Sequence, residues 1–169
     1  MVIKVSEIPE EGLRLEGLEA FPAPFLDPAW RLEDVLLAVE KDGEVVFVHG
    51  RVQSRVPQTC SRCLEPYEAL VDANVETRLV PAPAGRGEER ELGRDDLETD
   101  VYHHDQIDLN ALLETETTLG LPMKPLCSEG CRGLCPTCGT NRNTTQCACA
   151  PVADPRWAPL KGLADRLSK

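Results

Sequence analysis

The chain has 169 residues, enough for one ordinary domain with a real core and too few for two generous ones. Its 18 Lys and Arg against 29 Asp and Glu give a net charge of −11, which excludes a globally basic nucleic-acid coat and leaves room only for a local basic patch. With two Trp, two Tyr and three Phe, the core must be built from Val, Leu, Ile and Ala. No apolar run reaches the length of a membrane span, and the stretch from Met1 to Ser6 lacks the apolar segment of a signal peptide, so a soluble, cytoplasmic protein is expected.

Along the chain, Val2 to Val5 suggests a short strand, and the prolines between Phe21 and Pro28 mark a linker. Leu32, Val35, Leu36 and Val39 fit a helical spacing, but the segment runs into Asp42-Gly43, a strong hairpin signal, and a strand over 32–40 is the better reading. Val46, Val48, Val52 and Val56 then alternate with Phe47, His49, Arg51, Gln53 and Arg55, the period of a strand. From Tyr67 to Val80 a second alternation puts Ala69, Val71, Ala73, Val75, Thr77 and Leu79 on one face. Between these strands, at a hairpin end, stand Cys60 and Cys63.

An acidic loop is expected over 81–106; its stretch from Glu88 to Asp100 carries seven acids and two bases and reads as a solvated surface. Asp108 is placed to cap a helix near 108–119 with Leu109, Leu112, Leu113 and Leu119 as its apolar positions, ended by Gly120-Leu121-Pro122. Residues 127–149 are rich in Gly, Pro, Asn and Thr and too polar to build a core unaided. Beyond them, Asp154-Pro155 forms a helix start, followed by Trp157, Leu160, Leu163 and Leu167 at amphipathic spacing.

The eight cysteines carry the chemistry. In a chain without a secretion signal they are not expected to form disulfides, and they cluster as Cys60 and Cys63, then Cys127, Cys131, Cys135, Cys138, Cys147 and Cys149. A two-residue gap lets one turn present two thiolates to one ion, and both Cys60/Cys63 and Cys135/Cys138 have that gap. Eight thiols make two tetrahedral Zn²⁺ sites. Local closure favours Cys135/Cys138/Cys147/Cys149 as one and leaves Cys60/Cys63/Cys127/Cys131 as a long-range clip, with a crossed pairing of Cys135/Cys138 to Cys60/Cys63 as the alternative. An iron–sulfur cluster fits less well, because the gaps before Cys135 are three and three. A redox dithiol lacks its βαβ context, and a catalytic zinc lacks His or carboxylate ligands. His49, His103 and His104 have no metalloprotease spacing and read as surface residues. There is no nucleophile elbow and no phosphate loop, so no catalytic residue is assigned and the protein is expected not to be an enzyme.

In order, Cys60-Ser61-Arg62-Cys63-Leu64, then Ile107-Asp108-Leu109 before a Leu-rich helix ending at Leu121-Pro122, then Cys127, Cys131-Arg132-Gly133-Leu134-Cys135-Pro136-Thr137-Cys138-Gly139, then Asn143, Cys147-Ala148-Cys149 and Asp154-Pro155-Arg156 resemble the YceD family, the large ribosomal RNA subunit accumulation proteins. The resemblance covers roughly residues 32 to 167. It implies a non-enzymatic factor of bacteria and plastids, acting in large-subunit ribosomal RNA accumulation, processing or early assembly. It also implies that the final cysteines are dispensable in some relatives, in keeping with a self-contained tail site.

Residues 124–169 hold seven bases (Lys124, Arg132, Arg142, Arg156, Lys161, Arg166 and Lys169) against three acids, a net +4 that leaves −15 for residues 1–123. Lys124, Arg132, Arg142 and Arg156 are therefore the candidate contacts to RNA or a partner. Each zinc with four thiolates carries −2, however, so tight RNA binding by the tail alone is underpowered. The acidic body suits a basic ribosomal protein by charge complementarity. The expected partners are thus the pre-ribosomal large subunit, its RNA, or such a protein, with a protein-interaction module outside ribosomes as a further reading. The expected fold is α+β: an antiparallel sheet domain over 1–123 with a capped helix, and a zinc-stabilised extension with a C-terminal helix over 124–169, integrated as one domain.

Overall fold

In the computed structural model, which describes residues 1–83, 93, 99–150 and 156, the chain folds as a mixed sheet covered on one face by a single described α-helix, with two short 3-10 turns at Val5–Glu7 and Leu18–Ala20. The strands are β1 (Val2–Lys4), β2 (Leu13–Glu16), β3 (Arg31–Asp42), β4 (Val45–Thr59), β5 (Pro66–Pro81), β6 (Thr99–Tyr102) and β7 (Gln106–Asp108); the helix is α1 (Leu109–Leu119). Five strands form one sheet in the order β2-β3-β4-β5-β6, and β1 pairs with β7 as a separate ribbon. All pairings are antiparallel except β5 with β6, which is parallel. The expected α+β class stands, with that one parallel edge as a departure from a purely antiparallel sheet.

The long hairpins follow from the period-two pattern. Every second residue of β4 from Val46 to Val56 faces inward, as do Val35, Leu37 and Val39 of β3 and Val71, Val75 and Leu79 of β5. Gly43, at φ 62°, makes the tight β3–β4 turn that pairs Asp42 with Val45. The outward face carries Leu36, Phe47 and Leu70 among charged residues that pair across strands: Arg51 with Asp72, Arg31 with Glu68, and Arg55 with Glu33 at 2.9 Å. His49 lies on this exposed face, 3.9 Å from Glu40.

Helix α1 starts where the sequence places it. The Asp108 side chain accepts hydrogen bonds from the backbone N–H of Asn110 (3.0 Å) and Ala111 (3.4 Å). Leu109 and Leu113 are fully buried against the sheet, each contributing about 1.5–3 kcal/mol of apolar burial. The last turn differs from expectation. Leu119 is 73% exposed and Thr117 takes the inward place, its hydroxyl paired with Ser54 of β4 at 3.2 Å. Gly120 then lets the chain leave close to the sheet, since a Cβ there would stand 2.7 Å from Val71 Cγ1.

Three short elements escaped the periodicity. β2 adds an edge to β3, and the segment 81–106 ends in β6 and a turn into β7, so its last part is structured rather than loop. In that turn His104 and Asp105 have positive φ (52° and 60°), and Asp105 accepts hydrogen bonds from the N–H and hydroxyl of Ser6. Most of the acidic stretch and the expected C-terminal helix with Trp157, Leu160, Leu163 and Leu167 lie outside the described residues. No described helix is long and apolar enough to cross a membrane.

Candidate metal centres

The strand pair β4–β5 runs past the edge of the main core and ends in a turn that carries Cys60 and Cys63, both buried. After α1 the chain returns to this turn. Ser61 N–H donates to Pro125 O at 2.8 Å and Leu134 N–H to Arg62 O at 3.0 Å, while the Arg62 guanidinium donates to Cys131 O at 2.9 Å and Glu129 O at 3.3 Å. Gly133 makes this approach feasible. It holds φ 69°, and a Cβ on it would lie 2.9 Å from Arg62 O.

Cys60, Cys63, Cys127 and Cys131 are thereby brought together, with all four sulfurs within 4.8 Å of one another. The Cys60–Cys131 and Cys63–Cys127 sulfurs stand 3.7 and 3.6 Å apart. These separations are far from a disulfide bond. They match the edge of about 3.8 Å expected for a tetrahedron whose centre lies about 2.3 Å from each sulfur, the Zn–S distance. Cys135, Cys138, Cys147 and Cys149 form a second group within the same limit. The grouping follows local closure, not the crossed alternative. The donor sets are all sulfur, so both groups can hold a metal ion that prefers thiolate. His49, His103 and His104 belong to neither group.

The two groups share one local design. In the first, Leu64 N–H bonds to Cys60 O at 2.9 Å with Leu64 at φ 61°; in the second, Gly139 N–H bonds to Cys135 O at 2.9 Å with Gly139 at φ 72°. Each turn aims backbone N–H groups at its leading sulfur. The N–H groups of Cys127, Cys63 and Arg62 bring the Cys60 thiol down to about 6, and those of Cys138 and Thr137, with the Cys147 side chain, do the same for Cys135. The Asn143 side chain, above all, lowers Cys131. Full ionisation of either tetrad is resisted by its own sulfurs. At Cys63 the Glu65 N–H favours thiolate, yet burial and the sulfurs of Cys60, Cys127 and Cys131 push it up to about 12. Cys149 is pushed up to about 12 chiefly by Cys138. A cation at the centre of each group would remove that conflict.

Of the candidate basic contacts, Arg132 and Arg142 line a small polar cavity of about 210 Å³ with Thr145, Gln146 and Cys147. Lys124 is exposed on the segment after α1, and Arg156 is exposed beyond the second centre. Three residues that sequence reasoning left without a role prove to hold the centres together: Arg62, Asn143 and Gly133. Their chemistry is backbone and second-layer hydrogen bonding, which residue type and spacing alone do not reveal.

The class these features define is an α+β protein with two tetracysteine groups able to hold metal ions. A family model described as large ribosomal RNA subunit accumulation protein YceD matches residues 48–164, more than half of the chain, and the chain belongs to the YceD family. Uncharacterized proteins of Mycobacterium tuberculosis and Mycobacterium bovis are each 35% identical over 133 residues, covering 76% of this chain and 60% of theirs. A maize protein named large ribosomal RNA subunit accumulation protein YCED homolog 1, chloroplastic, is 29% identical over 140 residues, covering 68% of this chain and 47% of its own. The chain thus spans about 60% of the length of the mycobacterial relatives and less of the maize one. No solved structure matches it.

Proposed function

We propose that the protein supports accumulation of large-subunit ribosomal RNA as a non-enzymatic binding factor whose two tetracysteine groups hold structural Zn²⁺. The observation that carries this reading is the pair of complete four-thiol groups in a chain of the YceD family. Four thiolates fill a tetrahedral zinc and leave no position for substrate or water, the pattern of structural rather than catalytic sites. When bound, the metal would neutralise the crowded thiolates. The chain's own residues do the rest: Cys60 and Cys63 anchor the β4–β5 turn, and Cys127 and Cys131 tie the segment after α1 to it.

The partner is the pre-ribosomal large subunit. Arg132 and Arg142, with exposed Lys124 and Arg156, supply the basic contacts of the tail, and two tetrathiolate centres nearby keep that patch weak. The −15 of residues 1–123 favours a second reading within the same function, in which the sheet body holds a basic ribosomal protein on the RNA.

The test is genetic. A strain lacking the protein should show a fall in large-subunit ribosomal RNA relative to the small-subunit species. The native protein should restore the ratio, and a Cys60→Ser, Cys63→Ser variant should not. An unchanged ratio in the deletion strain would overturn the proposal. In-cell crosslinking then separates the two readings: attached large-subunit RNA favours contact by the tail, and attached ribosomal protein without RNA favours the acidic body.

A further inference from the structure

The two centres are joined by one side chain. Asn143 belongs to loop 139–146, between Cys138 and Cys147 of the second centre, yet its amide reaches the first. Its Nδ2 donates to Cys131 Sγ at 3.3 Å, and its Oδ1 accepts from the Arg132 N–H at 2.7 Å. The Arg132 N–H fixes the orientation of the amide, because only the oxygen can accept there, and that leaves the NH₂ group on the sulfur.

Loop 139–146 is tied both to its own centre and to the first centre's framework. Cys135 N–H donates to Thr140 O at 2.9 Å within the second centre, while Arg142 N–H donates to Gly133 O at 2.9 Å and the Asn141 side chain reaches Glu65 at 3.4 Å on the side of the first. Asn141 also accepts the Asn143 N–H at 3.0 Å through its side chain and the Thr145 N–H at 3.0 Å through its carbonyl. The loop has little apolar burial to hold it, since residues 142–146 are all exposed. Its ends are Cys138 and Cys147, so closing the second tetrad is what restrains them.

We propose that Asn143 is a positioning residue that couples the two metal centres: filling Cys135/Cys138/Cys147/Cys149 fixes the loop, which holds the Asn143 NH₂ on Cys131 and tightens metal at Cys60/Cys63/Cys127/Cys131. The proposal rests on the reading of both groups as metal sites. Coupling is reciprocal, so an occupied first centre also favours the second. Partners that orient a ligand atom are commonly worth about 10–100-fold in metal affinity.

The test is Zn²⁺ competition against a chromophoric chelator on the full chain, with Co²⁺ loading to follow the sulfur-to-metal charge-transfer band of the first centre. The second centre is removed by Cys147→Ser with Cys149→Ser, and circular dichroism verifies that the sheet persists. In the native background this removal should weaken the first centre about tenfold or more. Asn143→Asp keeps an oxygen for the Arg132 N–H but has no donor for Cys131 and adds a negative charge beside it, whereas Asn143→Ala removes the donor without adding charge. Both should weaken the first centre about as much and leave little further effect of removing the second. A loss confined to Asn143→Asp would mark charge repulsion rather than a lost donor and would overturn the proposal. Normal first-centre affinity and spectrum in Asn143→Asp would overturn the proposal. So would a loss on removing the second centre that is equally large with and without Asn143. Fewer than two ions bound to the native chain would overturn the metal reading beneath it, a different and separately visible failure.

Discussion

Leu64 and Gly139 occupy equivalent places in the two cysteine turns, and only one of them suits its backbone. Both have φ between 60° and 75°, a region in which a side chain costs about 1–2 kcal/mol and glycine costs nothing. Leu64 is 62% exposed, so its side chain returns little through burial. Leu64→Gly should therefore raise stability, by about 0.5–1 kcal/mol once the greater freedom of glycine in the unfolded chain is counted. Thermal unfolding of the metal-loaded protein measures it, and a lowered melting temperature would count against the shared-turn description. The two cysteine groups were legible in the sequence, because clustered thiols with pairs at a two-residue gap stand out by spacing alone. Asn143 and Arg62 were not, because an amide or a guanidinium announces no geometry until the backbone it meets is in place.

Among the elements, the best-read ones were those with many repeats of their period. β4 and β5 show five or more inward positions each; β5 was placed to within one residue at both ends, and β4 runs three residues beyond the last position read from its alternation, Val56. β2, with four residues, offers two alternations, and β6 pairs in parallel across a long connection, so neither leaves a local signature. The last turn of α1 is the instructive miss, because Leu119 has the apolar character and Thr117 has the position. The Thr117 hydroxyl tolerates burial because Ser54 meets it, and both residues are fully buried. Removing one partner alone, by Ser54→Ala, should cost about 1–3 kcal/mol, since it strands the other hydroxyl. The double change Ser54→Ala with Thr117→Val should cost distinctly less, a sign of non-additivity that a double-mutant cycle in denaturant reads directly. At the other end of α1, Asp108→Ala should cost about 0.5–2 kcal/mol through the lost cap, measured in the same way.

At the scale of the molecule, the two centres should differ in what they hold. The first ties Cys60 to Cys131, residues far apart in sequence, and its sulfurs are mostly buried; the second closes a short segment whose Cys138 and Cys149 are exposed. Cys60→Ser should therefore destabilise the whole domain by more than the roughly 0.5–3 kcal/mol of an ordinary substitution, and Cys149→Ser should stay within that range. Equal melting shifts would argue against a long-range clip. Acid acts on both centres in one direction. Thiolates are the ligating form, so protons compete with metal, affinity falls as pH falls, and metal release should accompany acidification at constant chelator. A release that became easier at higher pH would contradict thiolate ligation. The organisation as sheet, capped helix and cysteine-rich extension was readable from pattern, whereas the way the extension folds back onto the β4–β5 turn depends on contacts between distant residues.

The most direct test of this account is native mass spectrometry of the reduced 169-residue chain, with thiol alkylation of the same sample. Two zinc ions per chain, with all eight cysteines protected until a chelator is added, is the predicted result. A metal-free chain with freely alkylated thiols, or a single ion bound, would contradict the two-centre description on which the proposed function is built.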